Sequence, residues 1–478
     1  MATTTSAGTQ VGTSPGASPD PGNRASTPPV RTAGGSTPQA DSPRTRLQRL
    51  RHGGSTPPGR LRVAGVVLCA LVVVFGALAA WQVNERAQAA DRLVSHSGPL
   101  SHDAAEIYRS LADADTTAAA GFLLGAEEPR ALRERYEGDL AKASELLVQS
   151  AARTSGSSET QRTIADLTRE LARYSGLVEV ARTNNRQGLP LGGAYLRYAS
   201  TLMQDTVLRN AQSLVDSEER RLDADYDAAE SFPWAAAGAA VAGLGALGWY
   251  QVVLFRRTNR VFNLGLAGAT AALFASSLWL VVGATGAASS LADSRTRGAE
   301  PLSALNAARF DALQAHAAEN LNLVARGSSD TYNVRWDAEV DSLTRPKPEG
   351  DTPRGSLIVA VERAPDSVSG QLAAAQEKFA AWQDRHNVAA EKERKERDYD
   401  AALKATVTAD GTGSADSAFN EMDDLLAAAA AAERREFDNA ARDVDGELRL
   451  LALGVLLLTV PAAIGVVRGI NRRLAEYR

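Results

Sequence analysis

Four uncharged apolar stretches, at residues 63–83, 232–255, 261–285 and 450–467, constrain this chain more than anything else in it. The first three are each long enough to cross a hydrocarbon core of about 30 Å, and the fourth is shorter but equally free of charge. Inside lipid only helices and closed barrels satisfy the backbone, and these runs lack the alternation of a barrel strand. All four are read as helices. The rest of the chain is rich in Ala and poor in aromatics, which make up 5% of it, and that mixture favours long helices.

Lys and Arg set the orientation. Residues 1–62 carry eight Arg and two Asp. The short link after the second stretch holds Arg256, Arg257 and Arg260, and the end of the chain holds Arg468, Arg472, Arg473 and Arg478 against Glu476. These parts together have 15 basic and 3 acidic residues, a net of +12; against the total of −5, that leaves −17 for the remainder. Both termini and the link are therefore expected in the cytoplasm of a multi-pass plasma-membrane protein. Residues 84–231 and 286–449 are expected outside. Ala77-Leu78-Ala79 resembles a signal-peptide cleavage site, but 62 residues precede the stretch and its apolar run is long for a signal peptide.

Residues 1–62 are a Ser/Thr/Pro-rich tail with too few large apolar side chains to offset chain entropy, so disorder is expected. A Ser-Thr-Pro pattern recurs there at Thr27, Thr37 and Thr56, which makes these three candidate phosphorylation sites beside the plainer reading of a solvated tail. Residues 84–231 read as four helices. The first continues the membrane span to about Leu124, and a hairpin follows at Gly125 to Pro129. Ile164, Leu167, Leu171, Tyr174, Val178 and Ala181, spaced 3-4-3-4-3, give the third helix the seam of a bundle or coiled coil. Residues 286–449 repeat the plan: Tyr108, Leu111 and Tyr136 line up with Phe310, Leu313 and Trp336 at offsets of 202 and then 200 residues. Such self-similarity suggests an internal duplication. The expected architecture is an all-α membrane protein with four transmembrane helices and two tandem extracytoplasmic four-helix bundles. The charge run Glu391 to Asp398 reads as a solvated helix face.

No catalytic motif emerges. Walker A, protein-kinase, H-E-x-x-H and G-x-S-x-G patterns are absent from the sequence. The one cysteine, Cys69, excludes a disulfide framework and a cysteine-based zinc site. His96 and His102 lie six apart, which a helix does not place on one face. Residues 243–248 match the dinucleotide pattern G-x-G-x-x-G, but within an apolar span. There, Gly238, Gly243, Gly245 and Gly248 are better read as helix-packing positions, together with Gly265 and Gly268 in the third span. The five-residue link between the second and third spans implies a tight hairpin between them. No ionisable residue interrupts the spans, so transport is a poor reading.

Residues 113–140, with Phe122-Leu123-Leu124-Gly125 before the hairpin and Tyr136 after it, resemble the four-helix-bundle sensor domains of bacterial chemoreceptors and histidine kinases. The Pro-rich start, the two span–bundle–span units and the segment Leu189-Pro190-Leu191-Gly192-Gly193-Ala194-Tyr195-Leu196 resemble actinobacterial membrane proteins of the GlnX type. That resemblance implies a non-enzymatic transducer of glutamate, glutamine or aspartate availability. Its partners would be the lipid bilayer, a solute-binding lipoprotein outside, a soluble Ser/Thr kinase inside and, as a homo-oligomer, further copies of itself. No cofactor, no metal and no nucleic acid are expected. The alternative from another class is an envelope scaffold whose duplicated helical stalks act as spacers.

Overall fold

The structure, a computed structural model, describes residues 57–154, 158–258, 263–326, 330–348, 352–408 and 412–475. The protein is an all-α membrane protein: the described residues form helices with no strand among them. Four of the helices are long and apolar enough to cross a membrane.

The chain enters through α1 (Pro57–Arg92), passes a π turn at Leu93–Ser97 and continues as α2 (Gly98–Leu124). It returns through α3 (Arg130–Arg153) and goes out again in α4 (Ser158–Arg186). The return towards the membrane is α5 (Leu191–Leu202), a π turn at Met203–Val207 and α6 (Leu208–Glu230). The second span is α7 (Trp234–Thr258). Then α8 (Leu264–Ser294), a π turn at Arg295–Ala299 and α9 (Glu300–Val324) again form one long rod. The second segment adds α10 (Thr331–Thr344), α11 (Ser356–Arg363), α12 (Asp366–Glu391), a π turn at Lys392–Glu396 and α13 (Tyr399–Thr406). It closes with α14 (Ala415–Ala475), a single helix that runs on through Pro461 into the last span.

The π turns at Leu93 and Arg295 share a cause. Pro99 and Pro301 sit just beyond them, in the first turn of α2 and of α9. A proline inside a helix has no N–H to donate and pushes against the carbonyl four residues back. Widening the preceding turn relieves that conflict: the Gly98 N–H reaches the Leu93 carbonyl, and the Glu300 N–H reaches that of Arg295. The helix therefore passes its proline without breaking. At Pro233 no such turn precedes, and the chain breaks at residues 231–233 between α6 and α7.

The helical body has one core rather than two. Buried side chains from both segments form one continuous cluster, with α2 and α9 at its centre. These two helices are buried along nearly their whole length, which Ala-rich faces permit because small side chains let neighbours approach. They meet at the sequence-matched pair Tyr108 and Phe310, whose ring centroids lie 4.2 Å apart. The six seam residues of α4 are all buried. A second cluster unites the spans and the membrane end of the body.

Within the spans the closest association is between α8 and α14, not between the second and third spans joined by the short link. A Cβ added to Gly265 would lie 2.5 Å from Gly469 Cα and 2.8 Å from the Gly465 carbonyl oxygen. The Asn263 side chain caps α8 and also donates to the Gly469 carbonyl at 2.8 Å. Gly243 faces Leu273 at 3.0 Å, so the second and third spans do touch. At Gly238, Gly245, Gly248 and Gly268 an added Cβ would meet nothing within 4 Å. The short link explains proximity of chain ends, but backbone approach needs glycine on both partners, and Gly465 and Gly469 on α14 supply it. The tail with Thr27, Thr37 and Thr56 lies outside the described residues.

The second segment departs from a plain copy of the first. The loop beginning at Arg345 leads into α11, and the charge run ends α12 instead of extending it. Lys392 pairs with Glu396 and Lys395 with Glu391, as expected of a solvated face. Arg397 then takes a left-handed φ of 55°, which turns the chain into α13.

Candidate functional site

Three layers of polar side chains interrupt the core, and each is nearly closed. In the first, Asp115 on α2 is fully enclosed and accepts hydrogen bonds from Tyr174 Oη (3.1 Å), Ser200 Oγ (2.8 Å) and Gln204 Nε2 (3.1 Å). Burial pushes its carboxyl up from the ordinary range, and the three donors work against that shift. In the second, Arg135 on α3 grips Asp113 with two hydrogen bonds, at 2.8 and 3.0 Å, and reaches Asn420 on α14 at 2.7 Å. This contact ties the first segment to the second. Beside it Arg309 makes a buried two-bond contact with Asp423, at 2.8 and 3.0 Å. The third lies within the second segment. Glu319 accepts from Trp382 Nε1 at 2.9 Å and lies 2.9 Å from His386 Nδ1, whose ring stacks on Trp336.

A cavity of about 520 Å³ opens where α5, its π turn, the end of α9 and the start of α10 converge. Its charged lining is Arg197, Arg335 and Asp205, with Gln204 in its wall and Tyr198 and Tyr332 alongside. The first layer closes its inner side, because Ser200 and Gln204 both line the cavity and hold Asp115. Among the described residues the guanidiniums of Arg197 and Arg335 make no direct hydrogen bond or salt bridge, although Arg335 acts electrostatically on Glu339, one turn along α10. Gln204 is 9% exposed; its amide nitrogen bonds Asp115 while its Oε1 has no partner. The π turn brings both Gln204 and Asp205 to this wall. A half-buried cationic pair lining an open cavity is chemically suited to holding a small polar molecule.

A smaller cavity of about 280 Å³ lies at the membrane end of the body, lined among others by His102, Glu219, Arg295 and Arg434. Here Arg295, in the π turn before α9, pairs with Asp223 and Asp227 of α6, and Arg92 pairs with Asp225. Close to the span boundary Arg86 is 2% exposed; its Nε donates to the Ala229 carbonyl at 2.8 Å and its Nη2 to that of Ala284 at 3.4 Å. One side chain thus binds α1, α6 and α8 together. Among the described residues no group of three or more His, Cys, Asp or Glu side chains could hold a metal ion.

Sequence reasoning singled out none of the cavity residues. Arg197 sits on a partly exposed helix face, and the pair Asp113 and Asp115 reads as acidic surface until packing places both inside. One signal was present: Arg135 and Arg335 precede Tyr136 and Trp336, so the alignment at 200 residues also pairs two arginines.

The comparisons with known proteins bear on this same region. A family model described as an actinobacterial sensor domain matches residues 89–227, a stretch that runs from the end of α1 into α6 and includes Asp115 and Arg197 to Asp205. No curated protein and no solved structure matches the chain. The chain is thus a helical membrane protein whose first segment is similar to an actinobacterial sensor domain.

Proposed function

We propose that the chain is a non-enzymatic transmembrane signal transducer. Its helical body lies outside the cell and responds to glutamate, glutamine or aspartate availability, presented by a solute-binding lipoprotein. Its cytoplasmic tails pass the response to a soluble Ser/Thr kinase. The observation that carries this reading is continuity: the sensor-domain match begins in the same unbroken rod, residues 57–124, that forms the first span. The rod of residues 264–324 has the same build and packs against it in the centre of the body. A binding event that favours one arrangement of α2 and α9 over another would shift both rods, and with them their membrane portions. The effect on the kinase is then limited to the difference in binding free energy between the two arrangements.

The test is affinity purification of the tagged full-length chain from solubilised membranes, with and without glutamate, followed by mass spectrometry. The expected result is a solute-binding lipoprotein and a soluble Ser/Thr kinase whose recovery changes with the amino acid. Recovery of envelope or division proteins alone, indifferent to amino acids, would replace this reading with that of a scaffold.

A further inference from the structure

We infer that the cavity between α5, α9 and α10 is itself a binding site for a free α-amino acid. This inference deepens the sensing role proposed above and rests on it for its biological meaning, but the binding chemistry stands on the cavity alone.

The argument starts from two matched arginines with different fates. Arg135 and Arg335 occupy corresponding places at the start of α3 and α10. Arg135 is neutralised by Asp113 and held by Asn420. The residue that corresponds to Asp113 at the 202-residue offset is Ala315, so α9 offers Arg335 no carboxylate there. One place is therefore sealed by an internal ion pair, while the other is left open as the 520 Å³ cavity. Arg197 adds a second unpaired guanidinium to the same lining. Two guanidiniums facing one cavity repel each other unless an anion lies between them, and planar forks of this kind suit a carboxylate.

The same lining also carries the opposite charge. Asp205 is exposed in that lining and forms no direct ion pair with either arginine among the described residues. A ligand ammonium brought to Asp205 gains a charge-assisted hydrogen bond. A molecule with a carboxylate at one end and an ammonium at the other satisfies the arginines and Asp205 together. Phosphate or a simple carboxylate satisfies only the arginines, and a diamine satisfies only Asp205.

The test uses the full-length chain in lipid nanodiscs, with isothermal titration of L-glutamate, L-glutamine, L-aspartate and L-alanine. 2-Oxoglutarate and inorganic phosphate serve as anions without an amine. The expected result is saturable binding of at least one of the amino acids, at least tenfold tighter than either anion. Arg335→Ala should weaken it at least tenfold, and Thr201→Trp, which fills the exposed rim, should abolish it. Arg169→Ala, on an exposed face of α4, should leave it unchanged. Thermal unfolding of each unliganded variant separates lost binding from lost folding. Absence of binding by all four amino acids, equal binding of phosphate, or binding unaffected by both Arg335→Ala and Thr201→Trp would overturn the inference. The transducer reading has a separate failure point: it falls if deleting the whole chain leaves the cellular response to amino acids intact.

Discussion

Gly265→Ala is the sharpest perturbation the span packing offers. The added Cβ would sit 2.5 Å from Gly469 Cα, 2.6 Å from its nitrogen and 2.8 Å from the Gly465 carbonyl oxygen, whereas ordinary contact begins at about 3.4 Å. All three obstacles are backbone, so no side chain can swing aside. The third and fourth spans must separate locally by roughly 1 Å, and overpacking of this kind costs about 1–3 kcal/mol. Separation also stretches the Asn263 hydrogen bond to the Gly469 carbonyl, which is worth about 1 kcal/mol. The matched control is Gly268→Ala, three residues along the same helix, where an added Cβ meets nothing within 4 Å. Equilibrium unfolding by SDS in mixed micelles measures both. Gly265→Ala should lower the unfolding free energy by about 2 kcal/mol, and Gly268→Ala should leave it within about 0.5 kcal/mol. Equal values for the two variants would refute the close backbone crossing of α8 and α14.

Two further outcomes follow from the buried polar layers. Arg309→Met leaves Asp423 buried without its cation and should cost about 3–5 kcal/mol, whereas the double variant Arg309→Met/Asp423→Leu should recover most of the loss in chemical unfolding. Burial first, and the neighbouring Asp311 second, push the Glu339 carboxyl up to about 7 from its usual 4.5. The folded state therefore binds more protons than the unfolded one, and this group's contribution to stability is lost as pH rises from about 4.5 to about 7. Glu339→Gln should flatten that fall, so that the variant is the more stable protein at pH 8; an unchanged slope between pH 5 and pH 8 refutes the assignment.

Much of the architecture could be read directly from the residues. The apolar runs mark four spanning helices, and the 3-4-3-4-3 spacing from Ile164 to Ala181 names six side chains that are indeed buried. Those patterns arise from burial on one face, which repeats along a helix and so leaves a period in the sequence. Close approach of two helices leaves no such period. The six glycines singled out in spans two and three look alike as residues, and only the partner helix distinguishes Gly265 from Gly268. The same holds for charge. Asp115 and Asp113 are two residues apart in an acidic segment, yet one ends in a hydroxyl and amide cage and the other in an arginine clamp. Helix α11 was missed because a loop rich in Pro and Gly precedes it and its eight residues carry too short a pattern to stand out. The prolines at positions 99 and 301 were visible, but a proline alone does not say whether a helix will break, as at Pro233, or widen and carry on.

That difference fixes how the membrane and the body are geared together. Each residue advances an α-helix by about 100°, so a π turn, which accommodates one residue more than the ladder expects, turns everything beyond it by about that angle. The two central rods both contain such a turn, at the same level of the fold. They are therefore set with the same phase: the face each shaft presents in the membrane is offset from the face it presents in the body by an equal step. Losing one residue from a single turn would leave one shaft out of mesh with the other. Losing one from each would advance the pair in step, with the body turned as a unit relative to its spans.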